Sequence, residues 1–151
     1  MRPTTRRLFS VAVLINVLSV VGFILAYVFQ WPSEFVIGEV AEHNVTLADI
    51  ATGTVTSIPL APWIVLVVIT LLARSQRWWG TLAVVVLCLL GVVFMIGGYG
   101  ELSTPPTAYV PRAVLVMAGV VYCVLGLSLL VAGVLDLVDR VRTRRSPSRV
   151  R

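Results

Sequence analysis

The stretch LFSVAVLINVLSVVGFILAYVF, residues 8 to 29, holds 22 residues without a single charge. A membrane helix needs about 20 consecutive, mostly apolar residues, so this segment is long enough to cross a bilayer. Arg2, Arg6 and Arg7 sit just ahead of it. The pair Arg6-Arg7, followed by Leu8 and Phe9, looks like a twin-arginine export motif. A 22-residue apolar run is too long for a signal peptide, whose core spans about 7–15 residues, and no small-residue cleavage site follows. The segment is therefore read as a first transmembrane helix with a basic flank.

Working outward, residues 79–97 and 113–135 are two more uninterrupted apolar runs. A further candidate, residues 57–73, is short and carries Pro59 and Pro62. Proline is tolerated in the first helical turn, where its missing N–H has no acceptor, so this helix is expected to begin near one of the two. The expected fold is an all-α integral membrane protein, a four-helix transmembrane bundle in one domain of 151 residues. Residues 136–151 form a basic tail beyond it.

Composition agrees. The chain is 58% hydrophobic and 13% charged, about half the charge of a soluble domain, with a mean hydropathy of +0.98. That excludes an ordinary soluble enzyme and a disordered tail protein. All twelve basic residues are Arg, a codon-usage hint of a GC-rich, bacterial genome. The net charge of +5 suggests nucleic acid, but its distribution argues against such a partner. Arg residues precede the first run, separate the second from the third and follow the fourth, as three, two and six, which is eleven of the twelve. The other two loops hold Glu34, Glu39, Glu42, Asp49 and Glu101 against the single Arg112. By the positive-inside rule both termini are cytoplasmic, in a cell membrane, with one longer extracytoplasmic loop. Trp31, Trp63, Tyr27, Tyr99 and Tyr109 then fall at the outer boundary, and Trp78 and Trp79 at the inner one, as interfacial anchors.

Inside lipid, helices associate through small residues and occasional polar bridges. Ala12, Ser19 and Ala26 recur at seven-residue spacing in the first run, and Gly119, Gly126 and Gly133 in the fourth; Gly91 and Gly98 do so in the third. A seven-residue repeat keeps one stripe facing its partner, so the first and fourth helices are expected to meet along their stripes. A second copy or another subunit is the competing partner. Asn16 and Ser128 fall at similar depth, about 12 and 10 Å from the inner ends of their helices at 1.5 Å per residue. They are expected to hydrogen-bond across the pair, with a solute contact as the alternative.

No Asp, Glu, Lys, Arg or His lies within the four runs, which disfavours a proton-coupled carrier. Cys88 and Cys123 lie in different spans without a C-x-x-C motif and read as packing residues. No cofactor is implied. In the outer loop, Glu39, Glu42 and His43 would share a helical face at i, i+3 and i+4, a spacing able to hold a divalent metal; the competing reading is a solvated acidic loop. Thr46 to Asp49 could cap a short helix ended by Gly53, or residues 35–40 and 45–55 could pair as a hairpin. Past the fourth run, Asp136 with Arg140 and Asp139 with Arg142 are spaced as solvated helix pairs. The Arg-rich tail offers charge to anionic lipid, and Ser146 and Ser148 are places where phosphorylation would weaken that contact.

These features point to a non-enzymatic structural or accessory subunit, partnered by the bilayer, by itself or by another membrane protein. The alternative is an oligomeric transporter for a small solute or lipid, lined by Asn16, Ser19 and Ser128. A membrane enzyme using Glu39, Glu42 and His43 is a third reading.

Overall fold

The computed structural model describes residues 2–32 and 44–145. Within them the protein is all helical: α1 Pro3–Phe29, α2 Asp49–Thr52, α3 Leu60–Ala73, α4 Trp78–Ser103 and α5 Arg112–Arg145. Three of these, α1, α4 and α5, are long and apolar enough to cross a membrane. The fold is that of an α-helical membrane protein.

Apolar side chains on the outside support this reading. Leu14, Val17, Val20, Ile24, Leu89, Val93, Val120 and Leu127 are all exposed. In water such a surface would drive aggregation; in hydrocarbon it is the expected boundary. The interior is narrow, with Leu8, Leu66, Leu87 and Leu129 at its centre. Helix α5 lies against α4 and α1, and α3 lies against α4 and α1. The four helices therefore close a ring in which each neighbour runs antiparallel to the last.

The α4–α5 contact is the most extensive, and glycine explains it. A Cβ on Gly91 would stand 2.7 Å from the carbonyl oxygen of Gly126, and one on Gly126 would stand 2.5 Å from that of Gly91. Gly98 and Gly119 repeat the arrangement, each 2.6 Å from the other's carbonyl oxygen by the same construction. Seven residues separate the two glycines on each helix, so one antiparallel register satisfies both pairs. At Gly133 an added Cβ would collide with Cys88 Sγ, making that cysteine a packing element of the same seam.

This corrects the expected pairing of stripes. The glycines of α5 face α4, because Gly91 and Gly98 supply the matching backbone approach that α1 lacks. The α1 stripe is buried, with Ala12, Ser19 and Ala26 all inside, and Ser19 meets a different segment. Its Oγ accepts the Ile58 N–H at 3.1 Å, and one turn on Thr56 Oγ1 donates to the Gly22 carbonyl at 2.6 Å.

That segment, residues 54–59, leads into the second apolar run, whose helix begins beside Pro59 as its prolines predict. Helix α3 begins at Leu60, after Pro59, and has 14 residues. At 1.5 Å per residue it is about 21 Å long, short of the about 30 Å of hydrocarbon. Ahead of it, Thr54 and Ser57 close a tight turn (Ser57 N–H to Thr54 carbonyl 3.1 Å) and Val55 is fully buried. Buried non-helical backbone in such a bundle survives only when protein covers and satisfies it; here Ser19 takes the Ile58 N–H and the Thr54–Ser57 turn bonds itself.

In the outer loop, Asp49 Oδ2 accepts from the Thr46 N–H at 2.6 Å and its hydroxyl at 2.9 Å. Helix α2 follows and ends at Gly53, whose φ of 87° favours glycine. Residues 49–52 thus form the short helix ended by Gly53, but Thr46 does not cap it: the N-cap is Ala48, with no side-chain cap bond; the hairpin's other half, 35–40, lies outside the described residues. Helix α4 also runs on to Ser103, so Glu101, expected in a loop, sits in its last turn.

Candidate functional site

Two polar features and one groove break the apolar frame. The first lies where α1 begins, α3 ends and α5 leaves the bundle. Asp136 is fully buried and Arg140 is 2% exposed, which corrects the expectation of a solvated i,i+4 pair. Arg140 Nε donates to Asp136 Oδ2 at 2.7 Å. The other carboxylate oxygen, Oδ1, accepts from Thr5 Oγ1 at 2.5 Å, and Thr4 Oγ1 lies 2.9 Å from it and 3.1 Å from Asp139 Oδ2. Arg140 completes its fork on the Ala73 carbonyl at 2.5 Å and the Ser75 carbonyl at 2.8 Å.

The physical reason is the end of α3. The last carbonyls of a helix have no partner within it and favour a cation; Arg140 serves both needs. Its own burial is tolerable because Asp136 neutralises it and every arm is bonded. The i,i+4 spacing was visible in the sequence. The threonines on α1 and the carbonyls after α3 that bury the pair come from residues about 130 and 65 positions away, where no local pattern signals them.

The second feature is a cavity of about 130 Å³ near the start of α3 and the end of α4, lined by Thr52 to Thr54, Ser57 to Pro59, Pro62, Leu90, Val93, Phe94, Gly97, Glu101 and Tyr122. Its walls are mostly apolar. Thr54 and Ser57 hydroxyls bond each other at 2.7 Å, and Thr52 Oγ1 donates to the Asp49 carbonyl at 3.4 Å. Glu101 is the acidic member of the lining, and its carboxylate has no hydrogen-bond or ion-pair partner among the described residues. Arg112, which also reaches this end of α4, is committed to the Thr104 carbonyl at 2.6 Å and the Leu102 carbonyl at 2.8 Å.

The third is an open groove of about 820 Å³ between α1 and α5, lined by Arg6, Arg7, Ser10 and Val11 on one side and by Ser128, Val131 and Leu135 on the other. Neither Arg6 nor Arg7 makes an ion pair among the described residues, whereas Arg74 lies over the Phe9 ring at 5.3 Å and Arg77 over Trp79 at 5.2 Å.

The residues singled out in the sequence separate. Asn16 does not bridge to Ser128: its Nδ2 donates to the Ala12 carbonyl at 2.7 Å, one turn back on its own helix, and its buried Oδ1 has no partner. A short amide mid-helix can reach its own i−4 carbonyl without any neighbour, and Ser128 instead faces the α1–α5 groove. Ser19 is committed to Ile58. Asn16, Ser19 and Ser128 thus line no common path. Glu39, Glu42 and His43 lie outside the described residues, as do Ser146 and Ser148. Among the described residues there is no cluster of His, Cys, Asp or Glu able to hold a metal ion. Cys88 and Cys123 are free thiols, Cys123 Sγ lying 3.6 Å from the Met95 carbonyl.

The fold and these sites define an all-α membrane protein with a buried ionic knot at one end. The chain matches no protein-family model, no curated protein and no solved structure.

Proposed function

We propose that this protein is a non-enzymatic structural or accessory subunit of a bacterial cell membrane, crossing it four times with both ends in the cytoplasm. The observation that carries this reading is the Asp136–Arg140 knot. The two most buried charges among the described residues, Asp136 and Arg140, are spent on holding α1, the end of α3 and α5 together. Four crossings are supported by the antiparallel ring and by residues 54–59, which extend the short α3 toward the outer side. The Arg asymmetry supports the orientation. The lipid-facing surface is the face available for assembly with a second copy or another membrane protein, and the basic tail is available to anionic headgroups.

Gentle extraction of the tagged protein from its native membrane, followed by mass measurement of the complex, tests this reading. A stoichiometric foreign subunit or a defined homo-oligomer is expected; a bare monomer at native abundance overturns it.

A second reading, lipid handling, is favoured by the α1–α5 groove, where Arg6 and Arg7 have no ion-pair partner among the described residues and stand beside an apolar trough. Reconstituted protein that accelerates phospholipid exchange between leaflets would favour this reading over the first.

A further inference from the structure

We propose that the outer cavity beside Glu101 is a binding site for an amphiphilic ammonium compound. The alkyl part lies against Ile58, Pro62, Leu90, Val93 and Phe94, and the cationic head pairs with the Glu101 carboxylate.

The argument starts from an imbalance. Glu101 is half-buried at an apolar cavity, and a partly desolvated carboxylate gains from a nearby counter-charge. The cavity's own polar side chains do not compensate it. Thr52 is bonded to Asp49 and Thr54 to Ser57, and hydroxyls are weak counterparts to a charge. Arg112 is the nearest basic residue in sequence, but both ends of its fork are on backbone carbonyls. A cation entering the cavity would supply the counter-charge that the described residues do not.

Three further features select the ligand class. Glu101 occupies the last turn of α4, where the helix dipole adds partial negative charge and favours a cation again. Tyr122 enters the lining from α5 and brings an aromatic ring, a surface that receives alkylammonium heads. The cavity, at about 130 Å³, is far above the roughly 10–15 Å³ that one water needs, so it admits a short organic chain. Its apolar walls disfavour a bare, strongly hydrated metal ion, which would have to shed its water against hydrocarbon. A head that carries its own apolar chain satisfies the carboxylate and the walls together.

The test is calorimetric titration of the full-length protein in neutral maltoside micelles with n-hexylammonium, 1-hexanol and hexanoate. On the wild type, hexylammonium is expected to bind about tenfold more tightly than hexanol, as one hydrogen-bonded charge implies, and hexanoate not at all. Glu101→Gln should bring hexylammonium down to hexanol's affinity while leaving hexanol unchanged, which also shows that the variant's cavity is intact. Equal affinities for ammonium and alcohol on the wild type overturn the proposal without any variant, as does a preference that survives Glu101→Gln. The ammonium could come from a soluble amine or from a lipid headgroup. Repeating the titration in nanodiscs of phosphatidylglycerol and of phosphatidylethanolamine separates the two. Weakened hexylammonium binding in the second lipid identifies the headgroup as the competitor, and unchanged binding identifies a soluble amine.

Discussion

Neutralising Asp136 should unfasten the end of the bundle where α1 begins and α3 ends. In the wild type its carboxylate receives Arg140 Nε at 2.7 Å and Thr5 Oγ1 at 2.5 Å, in a site where Asp136 is fully buried. The variant Asp136→Asn keeps the shape but leaves the Arg140 guanidinium buried and uncompensated, a situation that costs about 3–5 kcal/mol. The lower end of that range is expected, because the Ala73 and Ser75 carbonyls still accept from Arg140. Arg140→Met should cost as much or more, since it strips the counter-charge from buried Asp136 and also orphans both carbonyls. The double variant removes both charges, so its loss should fall short of the sum by about 2 kcal/mol or more. Equilibrium unfolding in mixed micelles, run as a double-mutant cycle, measures each term; about 3 kcal/mol is more than a hundredfold in the unfolding constant. If Asp136→Asn unfolds within about 0.5 kcal/mol of the wild type, the size of an ordinary surface substitution, the pair is not the buried knot described here and the reasoning fails.

Other expectations follow from the same contacts. Gly126→Leu places a large side chain where even a Cβ would stand 2.5 Å from the Gly91 carbonyl oxygen, so α4 and α5 must separate; a loss of about 1–3 kcal/mol or more is expected, read as a lowered melting temperature. Thr56→Val removes the hydroxyl that bonds Gly22 at 2.6 Å and should cost about 1 kcal/mol while speeding hydrogen exchange at residues 54–58, whereas Ser10→Ala, on an exposed helix face, should change neither. In a background with Cys88 and Cys123 replaced by Ala, a cysteine at Thr143 should be protected from an impermeant maleimide added to intact cells and one at Thr46 should react; the reverse pattern inverts the proposed orientation.

The chain's hydropathy by itself determined that the protein belongs in lipid and where its long helices run. A run of 22 uncharged residues has few ways to satisfy its backbone other than as a spanning helix, and α1, α4 and α5 contain the expected stretches. Seven-residue spacing likewise marked the small residues that pack closely. Which stripe meets which depended on the tertiary structure, because a glycine approaches whichever helix offers another glycine at the matching height, and α4 rather than α1 does so. The start of α3 beside Pro59 was legible in the prolines, but the placing of 54–58 was not, because it rests on the Ser19 bond to the Ile58 N–H and the Thr56 bond to Gly22 across the fold. Asp136 and Arg140 looked like a solvated pair from their spacing alone. Their burial was decided by Thr5 and by the Ala73 and Ser75 carbonyls, groups distant in sequence whose convergence exists only once the ring has closed. Glu101 shows the same limit: acidic residues are ordinary on the outer side of a membrane, and it became a candidate site only when α4 carried it past the loop and into an apolar cavity.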